Sequence, residues 1–158
     1  ADAGFEFIDP GSGGALAGAM GEAYNKGEGW MGYYWGPTAI LGKYDMTKLD
    51  EGVDHNAETW ISEINDLEVA APGKNRYPAS TVETYVGTDM LDNFVVMNYL
   101  EKRSFPNTLL SQMLAWKDGE QAEASEAAEY FLLNNEDVWK NWTSADARLA
   151  IKEELGMM

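Results

Sequence analysis

Gly29-Trp30-Met31-Gly32-Tyr33-Tyr34-Trp35-Gly36-Pro37-Thr38-Ala39-Ile40-Leu41-Gly42-Lys43-Tyr44 concentrates two Trp and three Tyr in sixteen positions. Residues 30–35 are rich in aromatics and poor in helix formers, which reads as a strand. Gly36 and Pro37 end it abruptly, because proline has no N–H to give a ladder. Trp35 is thereby expected to be the last side chain before a turn, at the strand tip where open α/β sheets place ligands. Strand alternation would put Tyr33 on the same face as Trp35 and send Tyr34 to the other. Trp30 reads as ordinary sheet packing.

Working outward toward the N-terminus, Phe5-Glu6-Phe7-Ile8 alternates apolar and polar residues and reads as a short strand. Asp9-Pro10-Gly11-Ser12-Gly13-Gly14 is a turn, and residues 15–26 follow as a helix with Leu16, Met20 and Tyr24 on one face. Gly27-Glu28-Gly29 stops that helix. A strand–helix–strand unit of this kind predicts a parallel pair with a right-handed crossover. The glycine loop lacks both the GxGxxG spacing and the lysine of a phosphate cradle, so it reads as a tight turn leading into a helix N-terminus. Such an end favours an anion, for example a carboxylate, and Ser12 is the residue placed to serve it.

Downstream, residues 38–44 allow one helical turn with Lys43 and Tyr44 outward. The polar stretch to residue 76 holds one expected helix, residues 57–64, with Trp60 as a local anchor. His55, the only histidine, reads as a surface residue. Residues 81–86 set Val82, Thr84 and Val86 against Thr81, Glu83 and Tyr85, the period of a strand. Helices are then expected from a Thr88 cap to Leu100, from Asn107 to Gly119, over residues 123–133, and from a Thr143 or Ser144 cap to Leu155, with Val138, Trp139 and Trp142 presented between the last two. The architecture expected is α/β: parallel strands followed by a C-terminal helical region.

Composition sets outer limits. A chain of 158 residues, 45% hydrophobic and 24% charged, is long enough for a real core and is not broadly disordered. A net charge of −16 opposes nucleic acid and anionic membranes as partners. Absent cysteine removes disulfides and thiolate metal ligation. No run reaches a membrane span, and Ala1-Asp2-Ala3-Gly4 has neither the basic nor the apolar region of a signal peptide. No catalytic set is legible: HExxH, GxSxG, paired histidines and calcium loops are all missing. Glu126 and Glu129 share a helical face that reads as solvated. No enzyme, metal site or cofactor is expected.

Tyr33-Tyr34-Trp35-Gly36-Pro37-Thr38 resembles the YW-x-PT signature of the substrate-binding proteins that serve glycine betaine, proline betaine and choline ABC importers. The departure is Gly36, where many members carry an acidic or other larger residue. Arg76-Tyr77-Pro78-Ala79-Ser80-Thr81-Val82 is similar to the family's return strand, and residues 128–142 are similar to its C-terminal helices. The likeness is collinear over nearly the whole chain. Members are usually much longer, and these stretches all fall in their C-terminal half, so the resemblance implies a missing N-terminal half as a partner.

The resemblance implies a periplasmic-binding-protein-like partial lobe, with residues 1–80 in the ligand-binding lobe and residues 81–158 forming the return strand and helices of the other. It also implies an extracytoplasmic protein that closes on a quaternary ammonium solute and docks to an ABC permease. A trimethylammonium head donates no hydrogen bonds and is held by aromatic faces. Trp35 is the principal candidate, with Tyr33 or Tyr34 beside it and Tyr77 further off. Gly36, Pro37 and Thr38 complete the signature, and backbone donors near Gly36 and Ser12 are the candidates for a carboxylate. The competing reading is an acidic α/β interaction module in which the aromatic strand is plain core, and burial of Trp35 away from solvent would be its mark.

Overall fold

The computed structural model describes residue 6 and residues 8–157. The expected strand at residues 5–8 falls partly on Phe5 and Phe7 and so lies outside the described residues. Of the described residues 52% are helical and none lies in a strand or sheet, so the α/β expectation with parallel strands is corrected. Residues 28–35 and 74–87 carry no regular structure. The reason is that aromatic and β-branched side chains suit a pleated surface but do not create one. A strand exists only when a neighbour takes up its backbone N–H and C=O groups. Side chains in the second segment are correspondingly bare, with Val82 93% and Tyr85 87% exposed.

The helices follow their caps. Helix α1, Gly13–Lys26, starts where the Ser12 hydroxyl accepts the Ala15 N–H at 3.2 Å. It ends at Gly27, which takes the left-handed conformation (φ 69°) that glycine adopts without penalty. Helix α2, Ala39–Lys43, is a short turn. Helix α3, Ala57–Thr59, is capped by Asn56 and continues as a π turn, Trp60–Ile64. A 3-10 turn at Thr88–Met90 precedes α4, Phe94–Lys102, whose cap is Asn93 and not Thr88. Helix α5, Asn107–Glu120, ends at a left-handed Gln121, and α6, Ala124–Asn134, opens with a capping box in which Glu126 takes the Glu123 N–H at 2.7 Å. Helix α7, Glu136–Trp139, leads to α8, Ala145–Glu154, capped by Ser144.

These elements form two units. The first takes the chain up to Met46 and again from Met90 onward, and the second is Thr47–Asp89. In the first, Phe131, Trp139 and Trp142 make the buried cluster, with Tyr99, Phe105, Leu109, Met113 and Ile151 packed around them. Phe131 stacks on Trp142 at 5.7 Å, and Phe105 meets both rings. Arg148 donates to the Lys140 carbonyl at 2.7 Å and Lys152 pairs with Glu136, which fastens α8 to α7. Trp116 of α5 stacks on Tyr130 of α6 at 4.0 Å.

In the second unit, Trp60 packs between His55 and Tyr77, and Arg76 draws together Asp50, Glu51 and Asp54. The Gly52 N–H, and after it the Arg76 guanidinium, hold the Asp50 carboxyl below its ordinary range. A carboxylate depressed in the fold contributes stability at neutral pH that is lost as pH falls through its own lowered midpoint. The carbon-detected NMR titration of Asp50 should therefore centre below the usual value of about 3.9. Arg76→Gln should raise that midpoint only partway, since the Gly52 N–H stays. A midpoint at or above the ordinary one in the unsubstituted protein would contradict this arrangement.

Candidate functional site

The aromatic segment is held by the first unit. Helix α2 crosses α5 so closely that a Cβ on Gly42 would fall on the carbonyl of Ser111 and lie 2.8 Å from the Gln112 nitrogen. Tyr44, expected to point outward, instead packs on α1. Its ring is 4.5 Å from that of Tyr24, its hydroxyl accepts from Asn25 at 3.1 Å, and it lies against Gly21. Helices α1, α2 and α5 thus form the seat on which residues 33–38 rest.

On that seat the rings of Tyr33, Tyr34 and Trp35 converge. Tyr34 stacks on Trp35 with centroids 4.6 Å apart and planes 21° from parallel, and Tyr33 lies at 6.1 Å and 29°. The alternation expected of a strand would have separated Tyr34 from Trp35. An irregular backbone has no such obligation, and Tyr34 is the nearer of the two tyrosines. Trp30 folds over Gly32 of its own segment, so its expected role in sheet packing is corrected as well.

The Trp35 indole extends to the first residue of α1, where its Cη2 is 3.0 Å from the position a Gly13 Cβ would occupy. A Cβ on Gly13 would press on the ring, which would have to give by a few tenths of an ångström. This approach puts the aromatic cluster beside the N-terminus of a 14-residue helix, whose first-turn N–H groups have no partners within the helix. Ser12 stands at the same end as its cap. Trp35 is 46% and Tyr33 50% exposed, so the rings are not core.

The turn below the cluster contains a cis Gly36–Pro37 bond. Gly36 faces Leu41 and Asn107, the Thr38 hydroxyl reaches the Trp35 carbonyl at 3.4 Å, and the Thr38 N–H donates to Ser111 Oγ at 3.2 Å. Tyr77 belongs to the other unit, where its ring meets Trp60 edge-on at 5.1 Å. Ser111 and Gly13 were not legible as site residues. Ser111 lies 73 positions from Thr38 within an amphipathic helix, and nothing local marks it; the glycine at 13 read only as part of a turn.

A separate apolar groove of about 430 Å3 is lined by Phe94, Val95, Tyr99, Trp142, Ser144 and Ala147, between the starts of α4 and α8. Among the described residues no group of three or more His, Asp or Glu could hold a metal ion, and no helix is long and apolar enough to cross a membrane.

No curated protein matches the chain. The family model for the substrate-binding domain of the ABC-type glycine betaine transport system matches residues 1–134, which include the aromatic segment, its seat and most of the helical region. With a match over that much of its length, the chain belongs to this family of solute-binding proteins.

Proposed function

We propose that this chain binds a quaternary ammonium zwitterion of the glycine betaine type through Trp35, Tyr33 and Tyr34, and hands it to an ABC permease outside the cytoplasm. The observation that supports the reading is the half-exposed ring cluster set against the N-terminus of α1. A trimethylammonium group takes up the exposed ring faces, which carry the negative part of the quadrupole. A carboxylate a few bonds away then lies toward the Gly13 and Gly14 N–H groups, the Ala15 and Leu16 N–H groups being taken by Ser12, where the helix dipole favours negative charge. Had Trp35 been sealed from solvent, the plain-core reading of the segment would have gained; its exposure removes that support.

The strength of the site follows from the number of rings. At about 2 kcal/mol for a desolvated ring, the two half-exposed rings, Trp35 and Tyr33, with Tyr34 stacked behind Trp35, give roughly 4 kcal/mol, which corresponds to about millimolar affinity. Tight binding then needs aromatic groups beyond this cluster. Calorimetry should give a millimolar Kd for glycine betaine with this chain and about thirtyfold weaker binding for Trp35→Ala. Glycine, which carries no methyl groups, should not compete. Micromolar affinity would refute the two-ring estimate, and a Trp35→Ala protein that binds as well as its parent would remove the site.

A further inference from the structure

We infer that Ser111, on a helix far from the aromatic segment in sequence, is a positioning residue for Trp35, an inference that rests on the binding reading above. Ser111 is 4% exposed, the one buried polar side chain among the described residues. Its Oγ accepts the Thr38 N–H at 3.2 Å. Thr38 is the N-cap residue of α2, yet its own hydroxyl makes no capping bond and turns back to the Trp35 carbonyl. The turn that carries the indole is therefore tied at its far end to α5 through this serine, and at its near end to Trp35 itself.

Neighbouring contacts allow the tie little slack. A Cβ on Gly42 would overlap the Ser111 carbonyl, and Gly36 faces Asn107 one turn earlier on α5. Removing the Ser111 oxygen leaves the Thr38 N–H, in a half-buried position, without its acceptor. The turn is then free to tilt, and the indole leaves its place against Gly13. Ser111 does not touch ligand in this scheme. It sets where the ring stands.

The test uses the chain labelled with 5-fluorotryptophan, which gives a fluorine resonance for each of six tryptophans, with that of Trp35 assigned by its loss in Trp35→Phe. In the absence of ligand, Ser111→Ala should shift or broaden the Trp35 resonance, and it should weaken glycine betaine binding about fivefold, the equivalent of one net hydrogen bond. Ser111→Cys, whose sulfur is a weak acceptor of similar size, should fall between the two and supplies a second reading should the alanine variant fold poorly. Leu109→Val, which thins the core cluster, provides a destabilised control that should leave both the resonance and the affinity in place. An unmoved Trp35 resonance in Ser111→Ala, or a moved one with unchanged affinity, overturns the inference. If the unsubstituted chain does not bind glycine betaine, the ligand reading is what fails. The resonance, which needs no ligand, then decides by itself whether Ser111 holds the ring.

Discussion

Trp139→Ala is expected to destabilise the first unit by about 4 kcal/mol, the range for emptying an indole-sized site in a packed core. Trp139 is 1% exposed, sits with Phe131 and Trp142 in the buried cluster, and donates its indole N–H to the Leu132 carbonyl at 2.8 Å. Deleting the ring opens a void ringed by aromatic side chains on short, capped helices, which have little freedom to close it. It also leaves the Leu132 carbonyl without that donor. Trp139→Phe separates the two effects, because it keeps most of the bulk and loses the N–H. Its cost should be nearer 2 kcal/mol, combining lost volume with an unmet acceptor. Urea denaturation monitored by far-UV circular dichroism measures both. A loss under about 1.5 kcal/mol for Trp139→Ala would mean that this cluster is not the core.

The second large effect is at Gly42, and it differs in kind. Here the substitution adds an atom. A methyl group on Gly42 would occupy the space of the Ser111 carbonyl, so α2 and α5 must separate before it fits. Overpacking of a tight crossing costs about 3 kcal/mol. Gly42→Ala should show that loss in denaturation together with weakened solute binding, since α2 is part of the seat under Trp35. Gly18→Ala is the matched control: it lies within α1, and a Cβ there meets nothing within 4 Å. That change should stabilise by about 0.5–1 kcal/mol through helix propensity. If Gly42→Ala proved as harmless as Gly18→Ala, the crossing described here would be wrong.

The contrast between these positions shows what the sequence could convey. Helical parts were legible because their signals are local: Ser144 capping α8 and Gly27 ending α1. Residues 57–64 were expected as a helix and are helical, with a π turn around Trp60 that the pattern could not specify. Strands failed for the opposite reason. The patterns at residues 30–35 and 81–86 describe side chains fit for a sheet, whereas ladder bonds depend on a neighbour that no local pattern can supply. The aromatic residues of the candidate site could be named from their chemistry and from the YW-x-PT likeness. Their grouping could not. The stacking of Tyr34 on Trp35, the approach of the indole to Gly13 and the support from Ser111 all depend on how distant segments come to rest together.

The bond from Thr38 to Ser111 joins residues 73 positions apart, with the whole of Thr47–Asp89 threaded between them. Closing a loop of that length costs roughly 4 kcal/mol of chain entropy before any contact repays it. During translation at about 5–20 residues per second, the aromatic segment is made roughly 4 to 15 s before the helix that supports it. For that interval Trp30, Tyr33, Tyr34 and Trp35 form a sticky ribbon on the nascent chain, without a seat and open to chaperones or to neighbouring polypeptides. The yield of active protein in the cell should accordingly depend on how fast the ribosome moves through the interval between α2 and α5, even where the mature fold is unchanged.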